Sequence, residues 1–341
     1  MSLPKRTAAA GDVSGDANPA TSIPVHAPRR IHKAFITGAS GFVGVNLVRA
    51  LLDRGTAVLA YVRSGSDRSG LAGLDVEVLE GELLDRGGLA RAMRSSDACF
   101  HLAAALSSDD PAELERVNVQ GSLAVLEAAR EAGCTAIVHA TTIGTLGRTD
   151  GGMPREGDSH VPATGSAYAR SKLRSEEGAL ELAGRGAPVI LAHLAAPVGP
   201  WDRHPTVTGR RIVRVLQGKR LVYPRGAVNH VAVRDVAAGL ILAAGLGRAG
   251  QRYILANSEG NLTRRQFVAQ VIRSGAPPRR RRGMLGPLGA IFRRLRGSAE
   301  GGPVSLACDP SWSVKELGLP QTPLDEAFAE SVAWFREHGY A

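Results

Sequence analysis

The chain alternates short apolar runs, rich in β-branched residues, with longer stretches of helical periodicity. From residue 32 onward, the run KAFIT precedes the helical pattern GFVGVNLVRALLDRG, and the runs AVLAYV and VEVLE follow it. Runs of this kind predict buried strands, and apolar residues at every third or fourth position predict amphipathic helices. The alternation therefore predicts an α/β fold in which helices cover both faces of a parallel sheet.

The same pattern continues through the middle of the chain. Further strands are predicted at residues 97–103, 135–141 and 188–194, and long helices at residues 111–132 and 166–183. In the first of these helices, the apolar residues recur at a spacing that suits one buried face. We therefore expect a doubly wound sheet with at least six strands.

The character of the chain changes at both ends of this pattern. Residues 1–30 are rich in Ala, Gly, Pro and Ser and lack the apolar core of a secretory signal, so we expect a disordered leader. After Pro197, Pro and Gly become frequent and the helical segments shorten. We expect a larger domain over residues 31–198, onto which residues 229–245 pack back, and a smaller C-terminal α/β domain over residues 199–341.

Composition narrows the class of protein. Of the 341 residues, 44% are hydrophobic, yet the longest apolar stretches fall short of the roughly 20 residues that a membrane-spanning helix needs. The net charge of +10 lies largely in Arg-rich stretches and only 4% of residues are aromatic, which disfavours nucleic-acid binding. The three cysteines are scattered and offer neither a disulfide framework nor metal-ligand spacing, so we expect a reducing, cytoplasmic location and no metal.

A glycine-rich turn directly follows the first predicted strand. The sequence Thr37-Gly38-Ala39-Ser40-Gly41-Phe42-Val43-Gly44 opens the next helix. Glycines there allow a tight turn and the close approach of a pyrophosphate, and the helix N-terminus supplies N–H groups and positive dipole for phosphates. Because the flanking strands and helix agree, a dinucleotide site is favoured over an ordinary turn.

The end of the second predicted strand indicates which dinucleotide binds. An acidic residue there would bind a free ribose 2′-hydroxyl, whereas a cationic residue accommodates a 2′-phosphate. The chain has Tyr61-Val62-Arg63-Ser64 at this point, with no acid. We therefore expect NADP(H) to be preferred over NAD(H). The alternative is that Arg63 is an ordinary exposed arginine.

A tyrosine and a lysine lie four residues apart at the start of a predicted helix. This spacing places Tyr168 and Lys172 on one helix face. A lysine cation lowers the pKa of a nearby phenol toward the range that a general acid/base requires. A hydroxyl pair, Thr141-Thr142, ends the preceding strand. Tyr168 and Lys172, together with a hydroxyl of this pair, are therefore the candidate catalytic residues.

Together these motifs resemble the extended short-chain dehydrogenase/reductases, the NAD-dependent epimerase/dehydratase family. The likeness covers residues 32–340. Three further runs carry it: His101-Leu102-Ala103-Ala104, Asn118-Val119-Gln120-Gly121 and Thr142-Ile143-Gly144-Thr145-Leu146-Gly147. Residues 63–67, 197–200 and 205–210 resemble more narrowly the dihydroflavonol-reductase-like proteins, a group that includes the hopanoid-associated sugar epimerases.

The resemblance implies a Rossmann-type sheet whose C-terminal companion domain binds substrate. It also implies that Tyr168 transfers a proton, that Lys172 holds the nicotinamide ribose, and that Thr142 hydrogen-bonds the reacting oxygen. The remaining candidates would bind the dinucleotide: Gly38, Ser40, Gly41, Phe42, Val43 and Gly44 at the pyrophosphate, Arg63 at the 2′-position, Glu82 and Leu83 at the adenine, and Leu102, Ala103 and Ala104 along the adenosine.

Three functions remain open within this resemblance, and a fourth, dehydration, is disfavoured. We favour a ketoreductase or alcohol dehydrogenase acting on a small-molecule carbonyl or carbinol. A sugar-nucleotide epimerase is the second candidate, although residues 227–231 lack the usual Arg-Asp-aromatic stretch. A dehydratase would carry Asp-Glu where the chain has Ile143 and Gly144. A cofactor-binding regulator without catalysis is disfavoured because the tyrosine and lysine both remain.

Three expectations concern surfaces and the pocket wall. Segment 279–296 mixes arginines with large apolar residues, and packing on the substrate domain is favoured over lying on an anionic membrane. The resemblance implies a homodimer that pairs the helices at residues 111–132 and 166–183. His193-Leu194 stands where the family usually has Asn-Pro beside the nicotinamide.

Overall fold

The computed structural model describes residues 28–106, 110–147, 152–158, 166–275 and 305–341. The expected leader up to residue 27 and the Arg-rich segment 279–296 lie outside these described residues. Arg29, near the end of the expected leader, is anchored to the protein. Its guanidinium donates to the backbone oxygens of Ala244 and Gly247. A cation at the end of a helix complements the carbonyls exposed there.

A seven-stranded sheet forms the centre of the fold. The strands, in the spatial order β3-β2-β1-β4-β5-β6-β9, all pair in parallel. The predicted Rossmann-type sheet is confirmed, and the six predicted strands agree with β1 to β6 to within two residues at each end. The seventh strand, β9, had not been predicted. The strands are β1 (Lys33–Thr37), β2 (Ala57–Val62), β3 (Glu77–Glu80), β4 (Ala98–His101), β5 (Ala136–Thr142), β6 (Val189–Leu194) and β9 (Arg252–Leu255).

Helices cover both faces of this sheet. On one face, α1 (Phe42–Leu52) and α7 (Val233–Leu246) pack side by side in one apolar cluster with β1 and β6. On the other face, a second cluster holds α2 (Arg86–Ala92), α4 (Ser122–Glu131) and α5 (Ala167–Gly184). Covering both faces explains why the strands read as continuous apolar runs instead of alternating ones.

The helix predicted at residues 111–132 contains a wide turn. It begins as α3 (Pro111–Leu114), continues as a π-helix over Glu115–Gly121, and returns to α-helical geometry in α4. The wide turn carries Asn118, whose amide exchanges two hydrogen bonds with the backbone of Ala105 and donates a third to Ser171. The apolar period of the sequence did not reveal this, and π-turns of this kind are frequent at functional sites.

The C-terminal part of the chain forms a smaller α/β layer. Its three-stranded sheet has the order β10-β8-β7. Helices cover it around an aromatic cluster centred on Phe267, Phe328 and Phe335. The elements are β7 (Ala196–Val198), α6 (Val207–Leu216), β8 (Ala227–Ala232), β10 (Asn261–Thr263), α8 (Arg264–Arg273), α9 (Ser311–Leu317) and α10 (Leu324–Glu337). Within the described ranges, no helix is long and apolar enough to cross a bilayer.

Candidate active site

The glycine turn between β1 and α1 is shaped for a close backbone approach. Gly38 has φ of +71°, and a Cβ there would lie 2.7 Å from the backbone nitrogen of Ala103. A Cβ on Gly44 would lie 2.1 Å from the backbone oxygen of Gly38. Only glycine fits either position. The free N–H groups at the start of α1 therefore face a cradle without side chains, which fits a dinucleotide pyrophosphate.

One cleft of about 590 Å³ opens at the carboxyl ends of the central strands. This is where a doubly wound sheet binds its ligands, at the point between β1 and β4 where the strand order reverses. Every site residue expected from the sequence lines this cleft. They are Gly38, Ser40, Gly41, Phe42, Val43, Gly44, Arg63, Glu82, Leu83, Leu102, Ala103, Ala104, Thr142, Tyr168 and Lys172.

One end of the cleft carries charged residues of both signs, Arg63, Arg116, Glu82 and Glu113. Arg63 follows the last residue of β2 and is exposed, and Ser66 joins it in the wall through a turn closed by the Ser66 N–H donating to the Arg63 oxygen at 3.1 Å. Arg116, from the π-helical turn, lines the same cleft and pairs with Glu113. Sequence reasoning missed Ser66 and Arg116. The turn sequence Arg63-Ser64-Gly65-Ser66 was the available signal for Ser66.

Beside this end of the cleft, contacts between charged side chains join the loop after β2 to the loop before α6. Asp67, just after the Arg63 turn, lies 3.2 Å from Nε2 of His204 and 3.5 Å from Nε of Arg203. Hydrogen bonds from Ser69 chiefly hold the pKa of Asp67 at about 2, so it is a carboxylate at neutral pH. The loop after β2 and the loop before α6 are thereby held together.

Thr142 ends β5 at the opposite end of the cleft. Its Oγ1 accepts a hydrogen bond from the Gly144 N–H at 3.1 Å. A hydroxyl that accepts one hydrogen bond keeps its own proton available for donation. Thr142 can therefore donate to an oxygen atom placed in the cleft.

Tyr168 and Lys172 lie on the first turns of α5, which begins where Ser166 caps the Ala169 N–H. Lys172 is almost fully buried, and burial lowers its pKa to about 8 against the opposing effect of Glu176. Burial also raises the pKa of Tyr168 to about 12. The expectation that the lysine lowers the pKa of the phenol is therefore wrong for this structure, because desolvation disfavours the phenolate. Tyr168 is protonated at neutral pH and can donate its proton.

Polar side chains fill the space below the catalytic residues. Glu176 is fully buried and contacts Nε of Arg252 at 2.7 Å and Nε2 of His193 at 3.3 Å. His193 therefore points into this layer, and its neighbour Leu194 lines the cleft. Sequence reasoning missed Glu176. Its position four residues after Lys172, on the same helix face, was the available signal.

Comparison with known proteins agrees with this geometry. The family model described as "NAD dependent epimerase/dehydratase family" matches residues 34–256. The chain belongs to the NAD-dependent epimerase/dehydratase family. Its match covers the central sheet from the second residue of β1 onward, together with the candidate catalytic residues. Like other enzymes of this family, the protein is an NAD(P)-dependent oxidoreductase.

Relatives of this epimerase/dehydratase family member match along nearly the full chain. "Sterol demethylase protein B" of Methylococcus capsulatus is 36% identical, over 89% of this chain and 98% of the relative. "Putative dihydroflavonol 4-reductase" of Synechocystis sp. is 34% identical, over 90% of this chain and 95% of the relative. A solved structure, DesIV (dTDP-glucose 4,6-dehydratase) from Streptomyces venezuelae with NAD and TYD bound, is 26% identical with a TM-score of 0.74, covering 89% of this chain and 97% of that one.

Proposed function

We propose that this protein is an NADPH-dependent ketoreductase of the epimerase/dehydratase family. One observation carries the proposal. A single cleft has a cationic turn at one end, where a dinucleotide 2′-phosphate would lie, and the hydroxyl, phenol and ammonium of Thr142, Tyr168 and Lys172 at the other. The glycine cradle at Gly38 and Gly44 lies between them and suits the pyrophosphate that joins the two halves of such a cofactor.

The chain's own groups handle the proton and the orientation of the substrate. NADPH, when bound, supplies the hydride that reduces the carbonyl carbon and becomes NADP⁺. Thr142 donates a hydrogen bond to the carbonyl oxygen and stabilises the negative charge that develops there. Tyr168, protonated because of its burial, delivers its proton to that oxygen as the alcohol forms. The Lys172 ammonium holds the nicotinamide ribose and provides positive charge beside the phenol.

The charged end of the cleft supports NADP(H) over NAD(H). Arg63 and the Ser66 hydroxyl offer a charge and a hydrogen bond to a 2′-phosphate from one short turn. Charge-assisted hydrogen bonds of this kind are among the stronger polar contacts in proteins. Arg63 stands where an NAD-specific site would present a carboxylate.

The wall beyond Thr142 supports an apolar substrate. Leu194, Ala195 and Pro197 come from the ends of the strands, and Val207 from the start of α6. Among the described residues of this part of the wall, the polar side chains are threonines, which carry no charge for a sugar diphosphate. The relatives named for a sterol and for a dihydroflavonol are compatible with an uncharged ring system as the substrate. No observation of comparable weight favours epimerisation.

The test is a screen that follows NADPH or NADH absorbance with purified full-length protein. The substrates are apolar cyclic ketones, small polar ketones and sugar nucleotides. We expect NADPH to be consumed with apolar ketones and one alcohol to be formed per NADPH. Epimerised sugar nucleotide without net NADPH consumption would contradict the proposal and establish the epimerase. An inactive protein that still binds NADPH would favour the regulator.

A further inference from the structure

A fully buried carboxylate lies one helical turn beyond the catalytic lysine. Glu176 and Lys172 are both buried, and their four-residue spacing on α5 places them on the helix face that packs against the sheet. Burial of a carboxylate is unfavourable unless hydrogen bonds and opposite charges compensate for the lost water. The contacts of Glu176 therefore identify what it stabilises.

One oxygen of Glu176 reaches the turn that carries Thr142. The Thr145 hydroxyl lies 3.0 Å from Oε2 of Glu176 and 2.8 Å from the backbone oxygen of Thr142, so it can donate to either acceptor. Thr141, the residue before Thr142, also has its hydroxyl 3.4 Å from the same carboxylate oxygen. The carboxylate is thus linked to both sides of Thr142 through buried hydroxyls.

The other oxygen faces an arginine and an imidazole. Oε1 of Glu176 lies 2.7 Å from Nε of Arg252, on β9, and 3.3 Å from Nε2 of His193, on β6. Within α5, the negative charge of Glu176 opposes the effect of burial on the Lys172 ammonium. A carboxylate in this position favours the charged form of the lysine.

The neighbouring histidines do not add charge to this layer at neutral pH. His101 on β4 and His139 on β5 stack with ring centroids 5.3 Å apart, and burial lowers the pKa of both. They instead hydrogen-bond with hydroxyls, His101 with Thr37 and Ser122 and His139 with Ser175. The charges that face Glu176 from α5 and β9 are therefore those of Lys172 and Arg252.

We propose that Glu176 is a positioning residue of this active site, fixing the turn that carries Thr142 and placing a counter-charge one helical turn from Lys172. Glu176 acts through Thr145 and Lys172, without contact to the reacting atoms. The roles of Thr142 and Lys172 in this inference rest on the proposed function. The two effects of Glu176 can be measured separately, because cofactor binding needs no substrate.

The first test measures NADPH affinity as a function of pH in two variants. Each variant removes one partner of the Glu176–Arg252 ion pair. In the wild type, we expect affinity to fall as the pH rises through about 8, because burial lowers the pKa of Lys172 to about 8. In Glu176→Gln, we expect this fall to move about one pH unit toward acid, because the lysine loses its counter-charge. In Arg252→Gln, the matched control, it should not move toward acid. Equal shifts in both variants, or none in Glu176→Gln, would overturn the proposal.

A third variant keeps the test decisive if Glu176→Gln does not fold. Glu176→Asp retains the charge but shortens the side chain by one methylene. We expect its NADPH affinity to keep the wild-type pH dependence, since the counter-charge remains. If NADPH affinity fell at a lower pH in Glu176→Asp than in the wild type, the assigned role of the charge would be contradicted.

The second test isolates the link to Thr142. Thr145→Val removes the hydroxyl that can donate to Glu176 or to the Thr142 oxygen, and should lower kcat for ketone reduction about tenfold because Thr142 would be displaced. NADPH affinity and its pH dependence should stay as in the wild type, and Thr145→Ser should restore kcat. A Thr145→Val enzyme with wild-type kcat would overturn this half of the proposal. If the wild type reduced no ketone, the proposed function would fail, while the NADPH titration would still decide the role of Glu176.

Discussion

The Thr142 hydroxyl makes two separable contributions, and replacing it with valine should remove both. Valine has nearly the shape of threonine but neither donates nor accepts a hydrogen bond. Loss of the donor to the substrate oxygen should lower kcat by roughly 10²-fold, as for other groups that stabilise a developing oxyanion. In the structure, the buried Gly144 N–H lies 3.1 Å from Oγ1 of Thr142. Loss of this acceptor leaves the N–H without its partner, which should cost about 1–3 kcal/mol of folding stability.

The assay compares Thr142→Val with Thr142→Ser on a ketone identified by the screen. Serine keeps both the donor and the acceptor, so kcat and the free energy of unfolding should stay near those of the wild type. Initial rates at saturating NADPH measure the first effect, and urea denaturation measures the second. A Thr142→Val enzyme that kept the wild-type kcat would refute the assignment of this hydroxyl to the reacting oxygen.

Three further predictions concern the cofactor and the assembly. NADPH should bind more tightly than NADH in titration calorimetry. Arg63→Ser should weaken NADPH binding about tenfold while leaving NADH binding nearly unchanged. Equal affinities of the wild type for the two cofactors would show that Arg63 does not bind the 2′-phosphate. Gly44→Ala should weaken the binding of both cofactors and lower the melting temperature, because its Cβ would lie 2.1 Å from the Gly38 oxygen. Unchanged affinities for both cofactors would argue against the glycine cradle. Sedimentation should show a homodimer formed through the helices of residues 111–131 and α5, and a monomer at every concentration would refute the pairing.

The central sheet was predictable because most of its strands are buried and rich in apolar residues. In the turn after β1, Gly38 and Gly44 occupy positions that no other residue fits. The seventh strand, β9 (Arg252–Leu255), lies in the C-terminal part of the chain, where no strand of the central sheet was expected. Its place beside β6 depends on a crossover from the C-terminal part of the chain, which a local pattern does not encode.

The site was predictable where chemistry is local in sequence, and less so where it depends on three-dimensional contacts. Tyr168 and Lys172 share a helix face, so their spacing was sufficient to pair them. The direction of the Tyr168 pKa shift depends on burial, which the local motif does not report. Glu176 acquires its partners from β5, the turn after it, β6 and β9, all separated from Glu176 in sequence. Sequence spacing alone could suggest its proximity to Lys172 but not its contact with the turn after Thr142.

The most direct measurement of the account compares Tyr168→Phe with the wild type for both ketone reduction and NADPH binding. Phenylalanine keeps the ring and removes the acidic hydroxyl. The account predicts that kcat falls by roughly 10²- to 10⁴-fold, since the proton donor is lost. The NADPH dissociation constant should stay close to that of the wild type, because Lys172 and the glycine cradle still hold the cofactor. Wild-type turnover by Tyr168→Phe on a verified substrate would contradict the proposed active site.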